Sequence, residues 1–186
     1  MKKWILLSAM ILGLISAIYS QPQEWGYHAG ATVLLSEING ANTLSAGMTA
    51  GVSNGRILLG FYGLKALTPA QRPTYESTLE EYGLQTAFLY PLTSRLNLNF
   101  GLRAGVGEAS MEAIHKHISE GAQKEDIWAI SPEMGIEFPL SRNLSLAYTG
   151  GYRWIWGSEN LEDVGCGSYS SFYNALSLRV GFFPGR

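Results

Sequence analysis

The feature that most constrains this chain is an alternation of side-chain type with a period of two. Leu144, Leu146, Tyr148, Gly150, Tyr152, Trp154 and Trp156 fall on one parity, and Ser145, Ala147, Thr149, Gly151 and Arg153 on the other. The pattern recurs upstream. Leu96, Leu98, Phe100, Leu102, Ala104 and Val106 share a parity, opposed by Asn97, Asn99, Gly101, Arg103 and Gly105. Successive side chains of an extended strand point to opposite faces, so such a segment is a strand with two unlike faces. The same reading predicts six further strands, at Trp25–Leu35, Thr43–Ser53, Arg56–Lys65, Leu79–Leu92, Asp126–Leu140 and Ser171–Phe183.

The connections between these strands alternate in length. Asn54-Gly55 reads as a tight hairpin, because both residues tolerate the positive φ of a type I′ turn. Residues 91–98 and 139–146 share the spacing Pro-Leu-x-x-x-Leu-x-Leu around the short turns Thr93–Arg95 and Ser141–Asn143. The other four connections are longer, at Ser36–Asn42, Ala66–Thr78, Met111–Glu125 and Gly157–Ser170. Tight turns alternating with long loops predict an all-β fold, an eight-stranded antiparallel up-and-down barrel with both termini on the tight-turn side.

Composition decides which face is outside. Charged residues make up 15% of the chain, well below the roughly 25% of ordinary soluble domains. Beyond the N-terminus no apolar run is long enough for a membrane-spanning helix. The apolar parity is large and aromatic. The other is mostly small, with Gly47, Gly51, Gly60, Gly83, Ala87, Gly101, Gly105, Ala147, Gly151, Ala175 and Gly181. A soluble barrel such as a lipocalin would carry lysine and glutamate outside, not rows of glycine. The small, polar face is therefore expected inside a narrow barrel and the apolar face against lipid. Trp128, Trp154 and Trp156 near the long loops, and Tyr27, Tyr90, Phe138 and Phe182 near the tight turns, are expected to form two interfacial girdles.

The N-terminus has its own logic. Lys2 and Lys3 precede an apolar run from Trp4 to Ile18, and polar residues follow from Gln21. This is the layout of a secretory signal peptide, so residues 1–20 are expected to be removed and 21–186 to form the barrel. Loss of the two lysines takes the formal charge from −2 to −4. No basic patch points to nucleic acid. The single cysteine, Cys166, has no intrachain disulfide partner.

Charged residues on the inward parity are the main site candidates. Arg103, Glu133, Glu137, Arg153 and Arg179 fall there on the fifth to eighth strands. Unpaired charge in a narrow interior is costly, so these five are expected to pair at similar depth and to plug the lumen. An ion pathway is the alternative. His115 and His117 flank Lys116, with Glu112, Glu120, Glu125 and Asp126 nearby, a composition able to hold a transition metal but also ordinary for an exposed loop. Glu159, Glu162 and Asp163 match no EF-hand spacing. His28 has inward parity, yet no third group can be assigned to complete a Ser–His site. No catalytic residue, cofactor or metal site is therefore assigned.

With its signal peptide, its turn–loop alternation, its two Pro-Leu-x-x-x-Leu-x-Leu hairpins and the ending Leu176-Ser177-Leu178-Arg179-Val180-Gly181-Phe182-Phe183, the chain resembles the small outer-membrane barrels of the OmpA and OmpX kind. It is most similar to the outer-membrane β-barrel domain proteins of Bacteroidota. The resemblance implies residence in the outer membrane of a Gram-negative bacterium, contact with its lipid, and passage through the barrel-assembly machinery. In such proteins the terminal aromatic is read by that machinery; here Pro184-Gly185-Arg186 follow it. Families of this shape include adhesins, structural barrels, secretion components and a few lipid-modifying enzymes. The leading expectation is a non-enzymatic barrel, structural or displaying its loops to an extracellular or envelope protein. The alternatives are a barrel-embedded lipid enzyme, a small channel and a soluble lipocalin-like carrier.

Overall fold

A computed structural model describes residues 24–38, 40–71, 75–113, 123–157 and 169–183. Residues 1–20, expected to be a signal peptide, and His115, His117, Glu120, Glu159, Glu162, Asp163 and Cys166 lie outside the described residues. The strands are β1 (Gly26–Ile38), β2 (Ala41–Ser53), β3 (Ile57–Ala66), β4 (Ala70–Gln71), β5 (Tyr75–Thr93), β6 (Leu96–Ala113), β7 (Gln123–Ser141), β8 (Leu144–Trp156) and β9 (Ser171–Gly181). Consecutive long strands pair antiparallel, and β1 pairs with β9, so the sheet closes into an eight-stranded barrel. The two-residue β4 adds to the edge of β5 outside that count. Closure leaves the barrel wall without the unpaired edges that an open sheet would present.

Alternation sets which side chains enter the lumen. Along β9, Ser171, Tyr173, Ala175, Ser177 and Arg179 are buried, while Phe172, Leu176, Leu178 and Val180 are exposed. Exposed large apolar residues surround the barrel, from Tyr27 and Val33 to Met134 and Phe182. In a soluble protein so much exposed hydrocarbon would drive association; against lipid it costs nothing. All seven aromatics expected in the girdles point outward.

Several boundaries differ from the sequence reading. Ser36–Asn42 is not a long loop. β1 runs to Ile38, which pairs with Ala41, and Gly40 turns the chain with φ 76°. Glycine takes that left-handed conformation without steric cost, and Ser36 and Ile38 continue the inward row of β1. Nor is Asn54-Gly55 a two-residue turn. The ladder's last pair is Ser53 with Leu58, and the Asn54 side-chain oxygen accepts hydrogen bonds from the amides of Arg56 (3.1 Å) and Ile57 (2.8 Å). Gly55, with φ 83°, supplies the left-handed step. The two Pro-Leu hairpins are built alike. Each has a register shift, at Pro91–Thr93 and Pro139–Ser141, and a hydroxyl that accepts from the amide two residues on.

Strands β5, β6 and β7 are also longer than alternation suggested, with 19, 18 and 19 residues. Their extra length lies at the long-connection end. There the polarity of the two faces inverts. Outward positions become Thr78, Glu80, Glu108, Lys124 and Asp126, while inward positions become Leu79, Ala109, Met111 and Ile127. These inward residues join Ile38, Ala70, Ala129, Ile155 and Tyr169 in one apolar cluster across that end of the lumen.

Candidate functional site

The lumen is the one place where charged side chains converge in a buried setting among the described residues. Arg103 projects inward from β6 and meets Glu133 of β7 at 3.0 Å. Tyr173 of β9 donates its hydroxyl to the same carboxylate at 3.1 Å. The Arg103 guanidinium lies over two rings, 5.6 Å from the centre of Tyr62 and 5.8 Å from that of Tyr173. Flanking a cation with aromatic faces offsets part of the desolvation that burial imposes.

Glycines make room for this packing. A Cβ at Gly151 would fall 2.6 Å from the Tyr173 hydroxyl, and one at Gly105 would fall 2.6 Å from the Tyr62 hydroxyl. At Gly101 it would meet the Glu133 side chain at 2.8 Å. The small residues of the inward face are thus the complement of a few large ones, as a narrow barrel requires.

Two further pairs lie apart from the first. Arg179 of β9 bonds Glu137 of β7 at 3.1 Å. Arg153 of β8 approaches Glu81 of β5 at 3.7 Å and donates to the Ser36 hydroxyl at 3.2 Å. All six charged side chains are almost fully buried. Glu137 stands four residues along β7 from Glu133, about 13 Å of strand. The groups therefore occupy different depths, contrary to the similar depth expected from sequence.

Glu81 was missing from the sequence reading, although its parity with Gly83 and Ala87 pointed inward. With it, three arginines meet three carboxylates. Removing either member of a pair would strand a charge where desolvation is severe. Ser36 was also missed, because it was assigned to a loop.

Other candidates fall elsewhere. His28 is buried near the tight-turn end, its ring stacked on Phe183 at 6.3 Å. Of the terminal aromatic pair, Phe182 points outward and Phe183 inward. Among the described residues, no group of three or more His, Cys, Asp or Glu is placed to hold a metal ion.

No family model matches the chain, and no curated protein matches it in sequence. Solved structures do. Neisserial surface protein A superposes with a TM-score of 0.65 at 15% identity, covering 85% of this chain and 97% of that one. A major outer membrane protein from Thermus thermophilus gives 0.50 at 12% identity, covering 85% and 99%. The attachment invasion locus protein of Yersinia pestis gives 0.47 at 11% identity, covering 87% and 99%. The fold is that of the small outer-membrane β-barrels.

Proposed function

We propose that residues 1–20 direct export and are removed. The mature chain then resides in the outer membrane of a Gram-negative bacterium as a non-enzymatic barrel with a plugged interior. The observation that supports this reading is the set of side chains that project into the lumen. Three buried arginine–carboxylate pairs and an apolar cluster occupy it, inside a wall whose outer face is hydrocarbon and aromatic. Buried ion pairs contribute little net stability compared with apolar packing, so the role proposed for these is to fix which side chains meet. On this reading Arg103, Glu133, Glu137, Arg153 and Arg179, with Glu81, serve to occlude and to hold register. Activity then belongs to the outer ends of the strands and the long connections, which present the variable surface to an envelope or extracellular protein. The strand ending in Phe182-Phe183 engages the assembly machinery during insertion.

Three measurements test the proposal. The mature protein should fractionate with outer membrane and migrate differently in boiled and unboiled samples; recovery as a soluble periplasmic monomer would refute the placement. Planar bilayers containing it should show no large stable conductance, and an open channel would refute the plug. In a Cys166→Ser background on intact cells, Lys124→Cys should react with an impermeant thiol reagent and Arg95→Cys should not. The opposite labelling would reverse the orientation.

A further inference from the structure

Among the described residues, most cationic side chains already hold a carboxylate. Arg103, Arg153 and Arg179 do so in the lumen. Lys65 and Lys124 do so on the outer wall near the long connections, at 2.9 Å from Glu80 and 2.7 Å from Glu108. The described lysines and arginines that hold none are Arg56, Arg95 and Arg142. Each stands in a different one of the tight turns at 54–56, 93–95 and 141–143. All three are exposed, and no acidic residue shares their turns.

The pairing of the strands sets these turns on one rim. They join β2 to β3, β5 to β6 and β7 to β8, while β3 pairs with β5 and β6 with β7. The arginines therefore recur at every second strand, about 10 Å apart along the rim. Two of the turn backbones are pinned at the arginine itself. The Asn54 side-chain oxygen accepts from the Arg56 amide at 3.1 Å, and the Thr93 hydroxyl from the Arg95 amide at 3.2 Å. Exposed Leu92 and Leu140 precede the second and third turns, and exposed Tyr90 and Phe138 come before them on the same strands. Toward the rim, then, hydrocarbon gives way to an aromatic girdle and then to guanidinium. That is the order of acyl chain, interface and phosphate in a leaflet.

We propose that this rim binds the phosphates of anionic phospholipids, as a collar of separate arginines rather than as one pocket. The inference rests on the orientation proposed above, which sets the tight turns against the periplasmic leaflet, the one built of phospholipid. A guanidinium offers a phosphate two parallel N–H donors. A headgroup without an ammonium leaves that phosphate unneutralised, so phosphatidylglycerol is favoured over phosphatidylethanolamine. An arginine at an anionic surface is worth about a fivefold gain in affinity.

The test inserts the full mature barrel into vesicles of equal phosphatidylethanolamine and phosphatidylglycerol and releases it into detergent for native mass spectrometry. Both leaflets hold both lipids, so the readout does not depend on orientation. Retained lipid should favour phosphatidylglycerol about fivefold. Arg56→Gln, Arg95→Gln and Arg142→Gln should each remove part of that excess, and the triple variant should retain the two lipids equally. If the triple variant fails to insert, the single variants carry the test. Lys65→Gln and Lys124→Gln should leave the excess unchanged. A barrel that inserts and shows its heat shift, yet retains the lipids equally or keeps its excess without the arginines, would overturn the collar and leave the placement standing. Loss of the whole excess in one single variant would overturn the collar in favour of one pocket. Displacement of the lipid by millimolar inorganic phosphate would assign the rim to free phosphate instead. Failure of the unsubstituted barrel to insert would overturn the placement, and the collar with it.

Discussion

The middle of the barrel and its long-connection end are opposites built on the same strands. In the middle of β5, Leu84 and Phe88 face out while Gln85 and Ala87 face in. Near its start, Glu80 faces out and Leu79 faces in. β7 repeats the switch, from Ile130 outside and Glu133 inside to Asp126 outside and Ile127 inside. The backbone does not change; its surroundings do. On the proposed placement the middle is bathed in lipid, so hydrocarbon belongs outside and polar groups must pair within. The projecting end is bathed in water, so it follows the pattern of a soluble protein, with an apolar core and charged exterior. The row containing Tyr82 and Trp128 divides the two regimes.

The largest effect is expected where a buried partner is removed. Glu133→Ala strands Arg103 and the Tyr173 hydroxyl, and should cost about 4 kcal/mol in urea unfolding from vesicles. Replacing Arg103 and Glu133 together with Met and Leu should cost much less. A double change as damaging as the single one would mean that the pair is not what holds this layer. Next comes the lipid-facing wall. Leu102→Lys, outward in the middle of β6, should cost about 3 kcal/mol, whereas Asp126→Lys, exposed on the projecting end, should leave the unfolding midpoint unmoved. Equal costs would erase the distinction between the two regimes.

The apolar cluster at the projecting end should behave as an ordinary core. Ile127→Ala, fully buried there, should cost about 2 kcal/mol in the same unfolding assay. A cost near zero would show that this end contributes no core of its own. The smallest change is Tyr173→Phe, which removes one hydrogen bond to Glu133 and keeps the ring beside Arg103. About 1 kcal/mol is expected, and a loss as large as that of Glu133→Ala would make the hydroxyl, not the ion pair, the centre of the layer.

The inversion also explains where sequence reading stopped short. Alternation delimited β8 to the residue, because all of its partners lie in one regime. It followed the parity of β6 only to Val106, opened the next connection at Met111 and began β5 at Leu79, although those strands continue to Ala113 and start at Tyr75. Past Val106 the parity that had been small and polar becomes Ala109 and Met111, and a period-two pattern with reversed sign reads as the end of a strand. The first connection was misjudged for a local reason: Ser36 and Glu37 look like loop residues, yet Ser36 is an inward partner of Arg153.

What the sequence determined by itself was the class of fold and the sidedness of the wall. Both follow from local parity, since each side chain's face depends only on its position along its own strand. Inward placement of Arg103, Glu133, Glu137, Arg153 and Arg179 came from the same rule. Which arginine met which carboxylate was decided only by the closed sheet. Arg153 on β8 reaches Glu81 on β5, and Arg179 on β9 reaches Glu137 on β7, across a lumen rather than between paired strands. Those meetings depend on curvature, register and the space that glycines open opposite Tyr62 and Tyr173. None of these is a property of one strand.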